Sequence, residues 1–165
     1  MWGSLASLRG LGPRDPGSNP GIPIFTKMKK RRVSIIIFFN NQGKLLIQDR
    51  KGYKKGADYG FFGGKIEEGE TPEEALKREI KEELTINIKD FSLFKHYLKY
   101  YPEKDLQIEY WVYYALMPQL KEIIVKEGGT YLTNFKDVEN INMSTNDLKL
   151  IKNIHVYLRR KKLIE

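Results

Sequence analysis

The stretch from Gly63 to Leu84 constrains this chain more than any other part of it. Thr71, Pro72 and Glu74 form a T-x-x-E capping box with proline at the first helical position, so the spacing predicts a helix from Thr71 to Leu84. Glu73 and Glu74 suit the positive end of the helix dipole, and helix stability alone accounts for them. Glu79, Glu82 and Glu83 are different. At i, i+3 and i+4 they share one face, where like charges repel, and Arg78 and Lys81 relieve only part of that repulsion. On an isolated helix such a face reads as an ordinary solvated one. Here it follows Gly63-Gly64, which lets backbone approach a ligand closely, and Glu70, a further acid just before the cap. Carboxylates gathered on a rigid helix suit a hard divalent cation.

Composition narrows the chemistry by subtraction. The chain has 165 residues, enough for one ordinary domain, with 41% hydrophobic and 30% charged residues, the balance of a globular protein. It has no cysteine and only two histidines, His96 and His155. Disulfides, cysteine nucleophiles and thiolate-bound metals are therefore excluded, and a Ser-His-Asp hydrolase is disfavoured. Carboxylates must supply most of the ligands of any catalytic metal, which points to a hard cation such as Mg²⁺. No apolar run reaches the length of a membrane span, and the expected setting is cytoplasmic, with no membrane partner. The two histidines read as packing or surface residues.

Residues 1–27 are rich in Gly, Pro and Ser and carry no sustained period. They read as a disordered lead-in or start-site extension, with the folded domain expected over 28–165. A strand is predicted at Val33–Phe39, and a turn at Asn40–Gly43 leads into a second strand at Lys44–Gln48, making a hairpin. A polar loop, Lys51–Asp58, precedes Tyr59-Gly60-Phe61-Phe62-Gly63-Gly64. Beyond the acidic helix, strands are expected at Ile86–Tyr97 and Leu106–Leu116, with a short one near Tyr131. A last amphipathic helix is expected at about Asn146–Arg160, where Leu148, Ile151, Ile154 and Leu158 fall at helical spacing. Helices interspersed among strands imply an α+β fold, a mixed sheet covered by helices.

Gly64-x5-Glu70-x7-Arg78-Glu79-Ile80-x-Glu82-Glu83-x-Thr85-Ile86 resembles the Nudix box, the signature of hydrolases of nucleoside diphosphates linked to another moiety. One fixed position departs: the family has glycine where Thr85 stands. That glycine suits a left-handed helix exit, which a β-branched residue adopts poorly, so Thr85→Gly is expected to stabilise the domain if the left-handed geometry persists. The resemblance implies an α/β/α sandwich around a mixed sheet. It implies Glu79, Glu82 and Glu83 as metal-binding carboxylates, with the Gly64 carbonyl as a further ligand. Arg78 would orient Glu79 by ion pairing, Gly63 would shape the loop, and Glu70 would support the loop or a second metal. The implied cofactor is Mg²⁺, or Mn²⁺ in its place.

From about Met28 to Leu158 the resemblance is to the MutT type, which converts nucleoside triphosphates, notably oxidised dGTP, to monophosphate and pyrophosphate. Tyr59 to Lys65 resembles that group's aromatic-x-Phe-Pro-Gly-Gly-Lys, with Phe62 in place of proline, and places Phe61 and Lys65 among the substrate-binding positions. Phe61 has core packing as its alternative. Lys126-Glu127-Gly128 makes Glu127 a candidate extra ligand or general base, against an ordinary loop acid. Asn146 falls where the group reads the guanine edge, and is equally a good N-cap. Arg50 matches a phosphate-binding arginine, against an exposed strand-end charge. Lys104 stands at a basic position but lacks the bidentate geometry of arginine. The expected partner is a small-molecule nucleotide, handled by a monomer or homodimer. Competing readings are hydrolysis of another nucleoside diphosphate such as ADP-ribose and a catalytically silent nucleotide-binding module. A third, disfavoured because its basic tracts Lys29–Arg32 and Arg159–Lys162 sit at chain ends, is removal of pyrophosphate from RNA 5′ ends.

Overall fold

The computed structural model describes residues 28–53 and 56–165, so the expectation for 1–27 lies outside the described residues. The elements are β1 (Lys29–Phe39), β2 (Lys44–Asp49), β3 (Tyr59–Gly60), β4 (Phe62–Lys65), α1 (Pro72–Leu84), β5 (Ser92–Tyr101), β6 (Leu106–Leu116), β7 (Gly129–Asn134) and α2 (Thr145–Arg160). The strands form one seven-stranded sheet in the order β3-β2-β1-β6-β5, with β4 paired to β1 and β7 paired to β2. The β1–β6 ladder is parallel and every other strand pair is antiparallel, so the sheet is mixed as expected.

Side-chain alternation along β1 sorts the core into two halves. Ile35, Ile37 and Phe39 join Leu45, Ile47 and Val112 under α2, where they meet Leu150, Ile151, Ile154 and Leu158. Ile36 and Phe38 point the other way and pack with Leu46, Phe62 and Tyr113 against Leu76, Ile80 and Leu84 of α1. The sheet is thus the middle layer of an α/β/α sandwich. β1 is shared on one edge, with Val33–Ile36 facing β4 and Phe38–Phe39 facing β2, which brings β4 and its glycines beside α1.

Three boundaries differ from the sequence reading. The basic tract Lys29–Arg32 is part of β1, because β6 offers it ladder partners from Leu106 to Glu109. Arg32 there lies 3.9 Å from Glu109 and 5.2 Å from the Trp111 ring centroid. The strand expected from Ile86 starts instead at Ser92 and runs on to Tyr101. Ile86, Ile88 and Phe91 pack against the α1 core as a link without a ladder, since β6 pairs with this segment only from Ser92 onwards. Finally, Ser144, not Asn146, caps α2, its hydroxyl accepting the Asp147 N–H at 3.1 Å.

Candidate active site

The capping box at the start of α1 is complete. Glu74 N–H donates to Thr71 Oγ1 at 3.2 Å and Thr71 N–H donates back to the Glu74 carboxylate at 2.8 Å. One and two turns further on, Arg78 is a hub. Its Nε and Nη2 grip both oxygens of Glu70 at 2.7 and 3.0 Å, while Nη1 reaches Glu79 at 2.8 Å and Glu82 at 3.5 Å. Nη2 also donates to the Lys65 carbonyl at 3.0 Å, which ties α1 to the end of β4. The Arg78 hydrogen bond holds the Glu70 carboxyl down at about 2, and the Glu70 bond in turn raises the guanidinium above its ordinary value.

The two glycines of β4 are there for contact distance. A Cβ on Gly63 (φ 117°) would lie 2.2 Å from the Ser34 carbonyl oxygen, and one on Gly64 would lie 2.5 Å from the Glu79 carboxyl carbon. The Glu79 carboxylate therefore rests directly on the Gly64 backbone. Glu83 is buried, with 2% of its surface exposed. Its Oε2 accepts the Gly63 N–H at 2.9 Å and its Oε1 accepts Nε2 of Gln48 at 2.8 Å. Gln48, fully buried on β2, accepts the Arg50 Nε at 2.9 Å through its own carbonyl oxygen. Arg50 Nη2 donates to the Phe61 carbonyl at 2.7 Å.

Thr85 closes α1 in the left-handed region, at φ 59° and ψ 26°, and its hydroxyl donates to the Ile124 carbonyl at 2.9 Å. Ile124 N–H reaches the Leu84 carbonyl at 3.1 Å and Lys126 N–H the Glu83 carbonyl at 2.9 Å. These bonds lace residues 124–126 to the helix end and set Glu127 beside it. Tyr53 hydrogen-bonds Glu127, and this bond raises the phenol above its ordinary value.

A cavity of 330 Å³ opens beside this network. Arg50, Phe61, Gly63 and Asn146 line it, together with Tyr97, Tyr101, Tyr110 and Asp147. The Tyr97 and Tyr110 rings stack at 5.1 Å, and burial raises the Tyr97 phenol to about 12 and lifts the Asp147 carboxyl above its usual range. Lys65 stands elsewhere. Its ammonium is 3.1 Å from Glu67, and it borders a separate trough with Lys29, Lys30, Arg31 and Lys104. Phe61 is a core side chain, 2% exposed, that presents its backbone to Arg50. The histidines pack, His96 on Trp111 and His155 on Phe135.

The donor set suits a hard cation: the Glu79, Glu82 and Glu83 carboxylates lie on one face of α1, next to Gly64 of β4, with no nitrogen or sulfur donor in the set. Among the described residues no three acidic or imidazole side chains already converge as a cage. Glu79 and Glu83 are instead oriented by Arg78, Gly63 and Gln48, and Glu82 is exposed. Sequence reasoning missed Gln48, Tyr53, the three tyrosines and Asp147. Only Gln48 had a local signal, as the polar residue that ends the apolar run Leu45-Leu46-Ile47.

A mixed sheet clasped by two helices, with an acidic helix face on the Gly-Gly pair of β4 beside a tyrosine-lined cavity, defines a Nudix-type hydrolase fold. The NUDIX domain model matches residues 28–160, and the chain belongs to the Nudix family, as a MutT-like hydrolase. The 8-oxo-dGTP diphosphatase of Escherichia coli K12 is 36% identical over 86 residues, covering 52% of this chain and 67% of that protein. The enzyme of the same name from Haemophilus influenzae is 33% identical over 98 residues, covering 59% and 70%. A MutT structure from work on Aliivibrio salmonicida and Vibrio cholerae superposes with a TM-score of 0.60 at 26% identity, covering 76% of this chain and 97% of that one. A MutT Nudix hydrolase from Burkholderia pseudomallei shares the fold, with a TM-score of 0.64 at 20% identity over 75% of this chain and 97% of that one.

Proposed function

We propose that this Nudix hydrolase converts nucleoside triphosphates to monophosphate and pyrophosphate, with oxidised purines such as 8-oxo-dGTP as its substrate class. The observation that carries the reading is the double position of Gly63, which lines the tyrosine cavity and donates its N–H to Glu83. A base held in that cavity has its phosphates beside the acidic face of α1. That the Escherichia coli and Haemophilus influenzae relatives are 8-oxo-dGTP diphosphatases supports the same substrate.

In this reading the tyrosine wall takes the base, Asn146 reads the purine edge and Arg50 contacts a phosphate. Glu79, Glu82 and Glu83, with the Gly64 carbonyl, would hold Mg²⁺ or Mn²⁺. That cation supplies neutralisation of the phosphate oxygens and a lowered pKa for the attacking water. Arg78 pairs with Glu79 and holds it against the Gly64 backbone. Glu127, set by Tyr53 and the laced loop, serves as an additional ligand or as the acceptor of the water's proton. Water attacks phosphorus directly, and no covalent enzyme intermediate is needed.

Incubation of the protein with Mg²⁺ and 8-oxo-dGTP, the ordinary triphosphates, ADP-ribose or triphosphorylated RNA tests the reading through product identification. Pyrophosphate from the oxidised purine is expected, and activity on ADP-ribose alone would reject it. Glu79→Gln and Glu83→Gln should each lower turnover by about a hundredfold or more with the fold retained. Near-parental rates in either would remove the proposed ligand set.

A further inference from the structure

We infer that Gln48 is a positioning residue that ties the phosphate-binding arginine to the metal-binding carboxylate. The inference rests on the reading of Arg50 and Glu83 given above. A single amide spans the two groups. Its carbonyl oxygen accepts the Arg50 Nε at 2.9 Å and its nitrogen donates to Glu83 Oε1 at 2.8 Å. The partners dictate this orientation: a flipped amide would aim NH₂ at a guanidinium and oxygen at a carboxylate. Gln48 is fully buried, so water cannot substitute for either partner.

Both ends of the relay are themselves fixed. The guanidinium lies flat over Gly60, where a Cβ would come within 2.3 Å of its carbon, and it is held to the Phe61 carbonyl at 2.7 Å. At the other end the Gly63 N–H takes the second Glu83 oxygen at 2.9 Å. Among the described residues, two donors from two strands thus orient Glu83, and of these two Gln48 also bonds Arg50. A phosphate that draws on Arg50 acts on the same amide that orients the ligand. Hydrogen bonds of this kind to metal ligands change metal affinity or activity by about 10–100-fold when removed.

Two substitutions separate the arms. Gln48→Leu removes both bonds at similar volume. Gln48→Glu keeps an acceptor for Arg50 but loses the donor to Glu83. Mn²⁺ binding to the full chain without nucleotide, measured by paramagnetic resonance or calorimetry, should weaken about 10–100-fold in both. At saturating metal, the KM for the triphosphate should rise in Gln48→Leu and stay near the parent value in Gln48→Glu. Thermal melting checks that each variant is folded, and Gln48→Glu carries the test should Gln48→Leu fail to fold. A folded variant that binds Mn²⁺ within twofold of the parent, or more tightly, overturns the inference. Glu83→Gln is the control. If it weakens Mn²⁺ binding while the Gln48 variants do not, the relay alone falls; if it too leaves Mn²⁺ binding unchanged, the ligand set falls and the relay with it.

Discussion

Thr85 occupies a left-handed position at the end of α1, where the family's own pattern has glycine. An L side chain there costs about 1–2 kcal/mol, and the hydroxyl's bond to the Ile124 carbonyl returns about 1 kcal/mol. The expectation that glycine simply stabilises the domain is thereby sharpened. Thr85→Ala keeps the strain and loses the bond, whereas Thr85→Gly loses both. Chemical denaturation should place Thr85→Gly above Thr85→Ala by about 1 kcal/mol, with the parent close to the glycine variant. Equal stabilities for the two variants would show that the backbone is unstrained. Residue-scale detail was legible where one short stretch contained the whole device, as in the Thr71–Glu74 box. It was not legible at Ser144-Thr145-Asn146-Asp147, where α2 begins and four adjacent residues are competent caps. Asn146 was the sequence choice; the structure uses Ser144 and leaves Asn146 on the cavity wall.

The element that organises the site is α1 together with the loop before it. Arg78 joins the two through Glu70, whose carboxyl titrates near 2 instead of its ordinary 4.5. A carboxyl depressed in the folded state contributes stability above its unfolded pKa and loses it as pH falls towards the folded one. The melting temperature of the parent should therefore exceed that of Glu70→Gln at pH 6, and the gap should shrink between pH 4.5 and about 2. A gap independent of pH would assign the difference to packing. The face of α1 was legible because three glutamates at helical spacing need no tertiary information. The extent of β1 and the start of β5 were not. Lys29–Arg32 lack strand patterning and are strand only because β6 lies alongside, while Ile86–Phe91 have that patterning but no partner. Gln48, the tyrosines and Asp147 were hidden for the same reason: the site they form exists only after β2, β5, β6 and α2 meet.

Charge is organised at the scale of the whole molecule. The chain carries +8 overall, yet Lys65–Glu83 holds eight acids against four bases. Arg31 lines both the tyrosine cavity and the trough of Lys29, Lys30, Lys65 and Lys104, so the basic field reaches the mouth of the candidate site. A polyanionic substrate should be steered towards it. Raising salt from roughly 0.05 to 0.5 M should lower kcat/KM several-fold at constant free Mg²⁺, because screening shortens the range of attraction. Lys30→Glu combined with Lys104→Glu should flatten that dependence, and an unchanged salt slope would place the steering elsewhere.

The pairing of β4 with β1 also bears on the order of events in folding. α1 contains its own start signal and can flicker into helix as soon as it is synthesised. Of the groups that tame Glu83, Gln48 reaches β1 through a local hairpin, whereas Gly63 takes its place only when β4 pairs back onto β1 across the intervening chain. Closing such a long loop is slow compared with helix formation. Until it happens, the glutamates of α1 have only the partial relief of Arg78 and Lys81 on their own helix. The pieces of the site thus form early, and the site itself forms last.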